Sequence, residues 1–409
     1  MSRPVLSRYR NLFTGWDVRR LPVAHKLLFL VPEDHYFWSH RRPIATAARE
    51  SGYEIVVATL VNKHAELIRK EGFKLIPLKK LKRGSRNPFN ELLFFMELSK
   101  IFRRERPAIV HQVTVKPVLY GSWAARWTGV PVVVNALAGL GYIFIAPGRT
   151  ASMLKKAVML AYKSALSLKN SVLIFQNPDD QKLFVDSKVI PAGRTVLIRG
   201  AGVDTARYPF VPEPAGVPVV LLASRLLWDK GVGELVEAIR LLKSREVICR
   251  AVLVGEPDPG NPASIPQATL LQWQLEGILE WWGRRDDMPE VLARANLVVL
   301  PSYREGLPKV LLEAASTGRA IVTTDTPGCR EIVKHRENGL LIPVKDPVAL
   351  ANAIDRLLSD PGLRSQMGLK GRGMVEKEFS EARVVGETLA LYDRLLCKIG
   401  AERWVKKGK

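Results

Sequence analysis

Short apolar runs alternate with helix-like segments twice along this chain of 409 residues. The first series of predicted strands comprises 26–31, 54–59, 74–77, 109–112, 132–135 and 172–176. The second series comprises 219–223, 249–254, 279–282, 297–300 and 320–323. The helices expected between them are 42–50, 61–71, 88–105, 117–128, 150–168, 231–243, 288–295, 308–317 and 347–358. Regular strand–helix alternation favours parallel strands, so the sequence predicts an α/β chain with two doubly wound parallel sheets.

A proline-rich segment separates the two series. Four prolines stand between Arg207 and Pro218, and proline interrupts helices and strands alike. The predicted organisation is a basic N-terminal extension, a first α/β domain, a linker, a second α/β domain and a C-terminal helix returning to the first domain. Their ranges are 1–25, 26–205, 206–218, 219–380 and 381–409. Because ligands bind beyond the carboxyl ends of parallel strands, a cleft between the domains is the expected site.

Positive charge is concentrated in the first half of the chain. Residues 1–200 contain 33 Lys and Arg against 13 Asp and Glu, a net +20, whereas residues 201–409 contain 29 against 27, a net +2. Such an excess favours a polyanionic partner, either nucleic acid or an anionic membrane leaflet. A basic chain without a specific partner is the alternative.

The sequence also bears on the compartment. No apolar run reaches the roughly 18–20 residues that span a bilayer, and the first 25 residues lack the apolar centre of a signal peptide. Cys249, Cys329 and Cys397 show neither disulfide nor zinc spacing. These features predict a reducing, cytoplasmic setting.

Two carboxylates, Glu305 and Glu313, bracket a turn that opens a helix. A predicted strand runs into this turn, and Pro308 suits the first turn of a helix because its missing N–H is not needed there. The free amides of that turn and the positive helix end favour an anion. A charged centre flanked by two hydroxyl acceptors indicates a nucleotide-sugar site.

Spacing alone does not carry this prediction. Glu97 and Glu105 are also eight residues apart, but their surroundings are typical of a solvated helix face. The prediction depends on the strand, the turn and the helix start around Glu305.

Cations and a glycine from other strand ends are expected at the same site. Arg225 and Lys230 follow the first strand of the second half and would neutralise a diphosphate leaving group, although two surface cations in a loop is the alternative. Gly283 and Arg284 end a further strand, where the glycine allows backbone contact with a uracil ring. No Asp-x-Asp pattern offers a metal site, so fixed cations are expected to replace a metal.

Three segments of the first half are expected at its strand ends. They are the loop residues Ser39, His40 and Arg41, the strand end with His111, Thr114 and Lys116, and the glycine-rich loop with Gly139 and Gly141. The two histidines are more often structural than catalytic.

With these motifs together, the chain resembles the retaining glycosyltransferases of family 4, in particular the bacterial branch that builds capsule, O-antigen and lipid-linked oligosaccharides. The resemblance runs from about residue 26 to residue 395. Its carriers are 39–45, 114–121, 139–144, 175–177, 200–204, Arg225 with Lys230, and 301–329.

The resemblance implies a GT-B fold, with the acceptor in the first domain and the donor in the second. It implies that Glu305 binds hydroxyls of the donor sugar and that Glu313 binds the ribose. Arg225, Lys230 and the amides of Gly306, Leu307 and Lys309 would hold the diphosphate. Attack on the face that the diphosphate leaves, with the donor phosphate as base, would retain the donor's configuration without a metal. Many relatives carry a histidine where this chain has Ala138, which makes a 6-deoxy or amino sugar plausible.

The predicted function is therefore transfer of a hexose, HexNAc or deoxy- or amino sugar from a UDP-sugar. The expected acceptor is a polyprenyl-diphosphate-linked saccharide at the cytosolic face of the inner membrane. One alternative is a UDP-sugar epimerase of the same fold, which would need no acceptor. The non-enzymatic alternative is a basic nucleic-acid-binding protein, but no stacking aromatic platform accompanies the basic residues. The sequence leaves the sugar, the linkage, the pathway and the oligomeric state open.

Overall fold

A computed structural model describes residues 25–82, 84–85, 87–140, 144 and 148–407, with the side chains of 149–151 and 400–407 left out. The predicted N-terminal extension thus lies outside the described residues, except for His25. The described chain divides into two compact units. Unit 1 contains the chain up to Ala201 and from Ala382 onward, and unit 2 spans Gly202–Glu381.

Unit 1 is built on a parallel sheet that, within the described residues, has seven strands in the order β3-β2-β1-β4-β5-β6-β7. The strands are β1 Lys26–Glu33, β2 Glu54–Leu60, β3 Lys74–Pro77, β4 Ile109–Val113, β5 Val132–Leu137, β6 Ser171–Phe175 and β7 Thr195–Leu197. The central strands are buried on both faces, as apolar runs such as 27–31 require. Alternate residues serve opposite cores, with Leu27 and Phe29 on one side and Leu28 and Leu30 on the other.

Helices cover both faces of this sheet. They are α1 Asp34–His40, α2 Arg42–Glu50, α3 Ala65–Lys70, α4 Pro88–Glu105, α5 Val115–Thr128, α6 Arg149–Ala165 and α7 Pro178–Asp186. The C-terminal helix α15, Glu381–Lys407, returns to unit 1. Its residues Val385, Leu389 and Tyr392 are buried against Phe29 and other residues of that core.

Unit 2 contains a second parallel sheet, described as six strands in the order β10-β9-β8-β11-β12-β13. Its strands are β8 Val219–Ala223, β9 Arg250–Val254, β10 Glu280–Trp281, β11 Leu297–Leu300, β12 Ala320–Thr324 and β13 Gly339–Ile342. Its helices are α8 Val232–Ser244, α9 Gln267–Leu275, α10 Met288–Ala293, α11 Lys309–Ser316, α12 Cys329–Ile332, α13 Pro347–Ser359 and α14 Pro361–Glu378. The prediction of an α/β fold with two doubly wound parallel sheets is confirmed.

The proline-rich segment packs onto unit 2. Arg319 donates to the carbonyls of Val211 and Pro212 at 2.9 and 3.2 Å. Arg364 Nε donates to Glu213 Oε2 at 2.7 Å. The segment predicted as the linker 206–218 is therefore held by hydrogen bonds to the unit that follows it.

Four local expectations were wrong or incomplete. Ser39 and His40 lie on α1 and not in a loop, because a seven-residue helix of about two turns occupies the segment between β1 and α2. Strand β13, which begins at Gly339 and pairs in parallel with β12, was not expected. Glu105 is only 3% exposed and lies in an ion cluster, so it is not on a solvated helix face. Helices α7, α9 and α14 were not expected either.

Candidate functional site

An ion pair joins the two loops of unit 2 that the sequence singled out. Lys230 ends a 3₁₀ turn, Trp228–Lys230, between β8 and α8, and Glu305 lies in the loop between β11 and α11. Lys230 Nζ is 2.5 Å from Glu305 Oε1, and the two side chains are 16% and 12% exposed. These residues are 75 positions apart in the chain and meet because β8 and β11 are neighbours in the sheet.

Glu305 uses only one of its carboxylate oxygens within the described protein. Oε1 accepts from Lys230 Nζ and, at 2.7 Å, from the hydroxyl of Ser302. Oε2 has no hydrogen-bond partner among the residues described. The carboxylate is thus fixed in orientation by two donors while one oxygen remains able to accept hydroxyl groups.

Three glycines allow the loops of this sheet edge to approach one another. A Cβ on Gly231 would lie 2.2 Å from the carbonyl oxygen of Pro301, and one on Gly255 would lie 1.8 Å from that of Ser224. A Cβ on Gly328 would lie 2.4 Å from the Gly306 oxygen. All three glycines have positive φ. Substitution at any of them would push apart the loops that bring Lys230 to Glu305.

Helix α11 carries Glu313 inward from the turn. The helix begins at Lys309 with Pro308 as its N-cap, and no side chain caps it. The N-terminal end of this helix carries the partial positive charge that favours an anion. Glu313 is 7% exposed, and its Oε1 is 3.5 Å from Lys309 Nζ. Burial and the nearby Glu313 carboxylate raise the pKa of Tyr208 above its usual range, so this phenol stays protonated and can donate to the carboxylate.

The other predicted donor-site residues lie around this edge with different partners. Arg225 Nη1 is 2.9 Å from Asp258 Oδ2, and the Arg225 side chain is 54% exposed. The structure therefore does not pair Arg225 with Glu305. Gly283 has φ 65° and its carbonyl accepts from the Gly255 amide at 2.8 Å. Arg284 is partly exposed and 3.5 Å from Asp286.

A buried thiol adjoins the same carboxylate. Cys329 begins α12, the first helix after β12, and is fully buried. Burial, together with the charge of Glu305, raises the pKa of Cys329 to about 11. The thiol is therefore neutral and does not compete for Lys230.

The predicted residues of unit 1 have mixed environments. His111 lies within β4, is 1% exposed and has Nδ1 2.5 Å from the Tyr392 hydroxyl. Burial, and to a smaller extent the charge of Arg41, hold its pKa well below the usual range. The His111 imidazole is therefore neutral and enclosed within unit 1. Ser39 Oγ is 2.7 Å from His40 Nδ1, and the His40 ring stacks on Tyr36 at 4.4 Å.

Of the remaining predicted residues of unit 1, Lys116 binds loop carbonyls, and Thr114 and Gly139 adopt positive φ angles. Lys116 Nζ contacts Glu91 Oε1 at 2.6 Å and two loop carbonyls. Thr114 has φ 74° at the N-cap of α5, and Gly139 has φ 137° after β5. Gly141 lies outside the described residues. Lys116 is accordingly a cation held in place by Glu91.

The described residues contain neither a metal-binding cluster nor a membrane-spanning helix. No group of three or more His, Cys, Asp or Glu side chains is placed to hold a metal ion there. Among the helices of the described chain, none combines the length and apolar character needed to cross a bilayer.

Two family models match the two sheets in turn. One described as "Glycosyl transferase 4-like" matches residues 26–177. One described as "Glycosyl transferases group 1" matches residues 217–360, which include the Lys230–Glu305 pair. The chain belongs to the family 4 glycosyltransferases. The resemblance stated from the sequence is confirmed, and the protein is an enzyme of the glycosyltransferase class.

Two curated relatives of this glycosyltransferase come from bacteria. An N,N'-diacetylbacillosaminyl-diphospho-undecaprenol α-1,3-N-acetylgalactosaminyltransferase of Campylobacter jejuni is 28% identical over 369 residues, covering 87% of this chain and 95% of the relative. A UDP-Gal:α-D-GlcNAc-diphosphoundecaprenol α-1,3-galactosyltransferase of Escherichia coli is 26% identical, covering 73% and 78%. The solved structure of a sucrose-phosphate synthase from Thermosynechococcus elongatus superimposes with a TM-score of 0.75 at 20% identity, covering 91% of this chain and all of that one. This last likeness supports the GT-B fold.

Sequence reasoning missed three functional contacts of the glycosyltransferase. Ser302 orients Glu305, Tyr208 faces Glu313, and Asp258 holds Arg225. A serine three residues before a site carboxylate is a usable signal in retrospect. The other two partners are distant in the chain and gave no local signal.

Proposed function

We propose that this glycosyltransferase transfers a sugar from a UDP-sugar to a polyprenyl-diphosphate-linked saccharide, with retention of the donor's configuration and without a metal. The observation that carries the donor half is the geometry of Glu305, whose Oε1 is fixed by Lys230 and Ser302 while Oε2 is open. A carboxylate held in this way accepts sugar hydroxyls and does not need to act as a general base. The acceptor half rests on the two bacterial relatives, whose names specify undecaprenyl-diphosphate-linked acceptors.

Charge in the site supports diphosphate departure. Arg225 is about half exposed and held by Asp258, so an incoming diphosphate can reach its guanidinium. Lys230 and the N-terminal end of α11 supply further positive potential from the same sheet edge. Preorganised donors of this kind stabilise the developing leaving-group charge without reorganisation. In this proposal the departing phosphate takes the proton of the attacking hydroxyl, and Glu313 holds the ribose.

The test is a UDP-release screen across UDP-hexose and UDP-HexNAc donors with lipid-diphosphate monosaccharide acceptors. Glu305→Gln keeps the side-chain shape and removes the charge that Lys230 pairs with. We expect its turnover to fall by at least about 100-fold, as for loss of one preorganised polar group. Glu337→Gln, at an exposed glutamate of unit 2, is the matched control and should retain wild-type turnover.

The outcomes separate the candidate functions. Wild-type turnover in Glu305→Gln would overturn the site assignment. Absence of UDP release from every donor and acceptor would overturn the transferase proposal for these substrates. Interconversion of UDP-sugars without acceptor would instead favour the epimerase alternative.

We further propose that unit 1 docks on an anionic membrane surface through α4, α5 and α6. These helices pack on the same face of the sheet. No Asp or Glu occurs between Glu105 and Asp179, a stretch that contains eight Lys and Arg. Each Lys or Arg near an anionic leaflet contributes about 1 kcal/mol of attraction.

Large apolar side chains accompany this charge. On α4 the exposed stripe begins with Phe89, Leu92 and Met96, at 64%, 53% and 45% exposure, and continues with Lys100 and Arg103. Helix positions three, four and seven apart share one face. Apolar and basic residues on one exposed helix face are typical of helices that lie in the membrane interface.

Helix α6 presents the same combination. Met153 and Leu160 are 72% and 70% exposed, with the exposed Lys156 and Lys163 on the same stripe. An open apolar groove of about 410 Å³ between α4 and α5 lies beside Leu92 and is lined also by Phe95 and Trp123. This groove would accept part of a lipid chain.

Vesicle sedimentation tests the docking surface. The wild-type protein should bind phosphatidylglycerol-containing vesicles at least about tenfold better than phosphatidylcholine vesicles, with binding lost at high salt. Leu160→Glu should weaken this binding about tenfold, since it adds a negative charge to the apolar contact. Leu275→Glu, at an 88% exposed leucine of unit 2, should have no effect. Equal binding to both vesicle types, or equal effects of the two substitutions, would contradict the assignment.

A further inference from the structure

The guanidinium of Arg41 is a buried charge without a counter-charge in the described chain. Arg41 is 3% exposed. Its Nε makes no hydrogen bond, and no carboxylate of the described residues pairs with it. Its recorded side-chain contact is with the ring of Tyr36, whose centroid is 5.9 Å from Cζ. An unpaired buried charge costs several kcal/mol, so the guanidinium calls for a partner that the described residues do not provide.

Two further orphaned polar atoms surround this charge. The Tyr36 hydroxyl and His111 Nε2 are both buried and lack hydrogen-bond partners within the described residues. Burial raises the pKa of Tyr36 while the Arg41 charge opposes the rise; burial lowers the pKa of His111 and Arg41 adds to the fall. Both side chains are therefore neutral and near enough to sense the guanidinium.

The three orphaned atoms can all act as donors. Burial raises the pKa of Tyr392 well above its usual value, so its hydroxyl keeps its proton. When that hydroxyl donates to His111 Nδ1, at 2.5 Å, the imidazole proton resides on Nε2. The cluster then offers three donors, namely a guanidinium, a phenol O–H and an imidazole N–H, and of these groups only the phenol oxygen can also accept. A tetrahedral oxyanion is the complementary ligand, since its oxygens only accept.

The cluster lies where unit 1 would present a ligand site. Arg41 directly follows α1, which follows β1 without a loop, and His111 is on the neighbouring strand β4. Carboxyl ends of parallel strands are the usual ligand edge of such a sheet. Tyr36 stacks on His40, and both rings are partly exposed. The guanidinium is thus one aromatic ring away from solvent.

We infer that Arg41, Tyr36 and His111 form a phosphate-binding site, and that this site receives a phosphate of the acceptor's diphosphate. The inference deepens the proposed function and rests on it for the source of the phosphate. Such a site would bind any phosphate monoanion or dianion. The donor's diphosphate therefore competes with the acceptor's diphosphate as the ligand of this site.

The experiment compares two adjacent arginines in the full-length enzyme. Arg41→Gln removes the buried cation, while Arg42→Gln removes an exposed one that lies 3.6 Å from Glu71 and over the Trp38 ring at 4.7 Å. UDP release is measured against acceptor concentration and, separately, against donor concentration. We expect Arg41→Gln to raise the acceptor KM at least about tenfold, the loss of one charge-assisted contact. The donor KM and UDP affinity should stay within about twofold by the same scale, and Arg42→Gln should leave both KM values unchanged.

Inorganic pyrophosphate provides a probe that does not depend on turnover. At a saturating donor concentration it should inhibit competitively against the acceptor. With UDP present to fill the donor's diphosphate site, it should raise the melting temperature of the wild-type protein and of Arg42→Gln, but not of Arg41→Gln. A failure of the proposed function would leave this arm intact, because the wild type would then bind pyrophosphate without turning over any lipid acceptor. An unchanged acceptor KM and unchanged pyrophosphate response in folded Arg41→Gln would overturn the inference. An increase confined to the donor KM would assign the phosphate to the donor and overturn it as well.

Tyr36→Phe keeps the test decisive if Arg41→Gln does not fold. This substitution removes only the orphaned hydroxyl and keeps the ring that stacks on His40. We expect a rise of about threefold or more in acceptor KM together with a weaker pyrophosphate shift, and an unaltered melting temperature of the free enzyme. A wild-type KM and a wild-type pyrophosphate shift in Tyr36→Phe would contradict the site.

Discussion

Two arginines, one in each unit, are almost equally buried and differ in every other respect. Arg319 of unit 2 is 1% exposed, and Arg41 of unit 1 is 3% exposed. Arg319 donates to four backbone carbonyls, those of Leu292, Ala293, Val211 and Pro212, at 2.9–3.2 Å. Arg41 makes no side-chain hydrogen bond in the described protein.

This difference separates a buried arginine that stabilises the fold, Arg319, from one whose donors are available to a ligand, Arg41. Arg319 ties the proline-rich segment and the end of α10 to the turn before β12, so its donors are used within the fold. Arg41 retains unused donors, as Glu305 retains an unused acceptor in Oε2. Spare hydrogen-bonding capacity on a fixed, buried charge therefore distinguishes the candidate site residues from equally buried structural ones.

The largest expected effect is on Arg319. Arg319→Met removes the charge and leaves four carbonyls of the proline-rich segment and α10 without their donor. We expect unit 2 to lose about 3–5 kcal/mol of unfolding free energy, the range for breaking a buried ionic network. Urea denaturation monitored by tryptophan fluorescence would measure this. A loss below about 1 kcal/mol would erase the distinction between the two arginines.

Glu105 extends the comparison of the two arginines, because it is a buried charge of unit 1 that, unlike Arg41, has ionic partners. Burial opposes its ionisation, but hydrogen bonds from Lys74, Arg104 and Lys26 outweigh that effect and lower the pKa of Glu105 to about 2. A lowered folded-state pKa gives stability that is present above the unfolded value of 4.5 and is lost as pH falls towards 2. Glu105→Gln should therefore cost unit 1 up to about 3 kcal/mol at pH 7 and almost nothing near pH 2.

Glu54 provides the control for that pH dependence. It contacts the same Lys26 at 3.2 Å, but its side chain is 51% exposed. Glu54→Gln should cost less than about 1 kcal/mol at any pH, as exposed ion pairs do. Equal pH profiles for the two variants would show that burial does not decide the outcome.

The smallest expected effect, and the one of opposite sign, is on Arg41. Arg41→Met removes an uncompensated buried charge from the ligand-free protein. We expect the free energy of unfolding to be unchanged or to rise by about 1 kcal/mol, since replacing buried charge by apolar volume is often stabilising. A loss of 3 kcal/mol or more would place Arg41 with Arg319 as a structural residue.

Much of the fold follows from local patterns in the sequence. The strands 74–77, 219–223 and 297–300 were predicted with their observed ends, because short apolar runs bounded by turn residues have few alternatives. Helix 88–105 was predicted with its bounds from proline at its start and basic residues at its end. By contrast, α1 was missed because β1 passes into it without a turn signal.

In the candidate site, too, some features follow from the sequence and others from the tertiary structure. The run around Glu305 and the cations Arg225 and Lys230 were singled out from residue type and position after strands. Their actual partners depend on which loops lie side by side: Lys230 with Glu305, Arg225 with Asp258. Glu105 shows the converse: its helix face is typical of solvent exposure, but the carboxylate is buried and pairs with Lys26 and Lys74 from other segments as well as with the adjacent Arg104.

The amino-acid sequence alone predicts two parallel α/β sheets, a basic first half and family 4 motifs at strand ends. These properties depend on periodicity, composition and short motifs, all of which are local in the chain. Which charged groups have hydrogen-bond or ionic partners depends on the tertiary structure. The Arg319 guanidinium donates to carbonyls, whereas that of Arg41 donates to none within the described residues. The contacts of such groups depend on segments more than 100 residues away in the chain, such as 211–212 for Arg319. Tyr392 is likewise distant in the chain from His111. No local pattern specifies those contacts, because they arise when the sheets bring distant loops together.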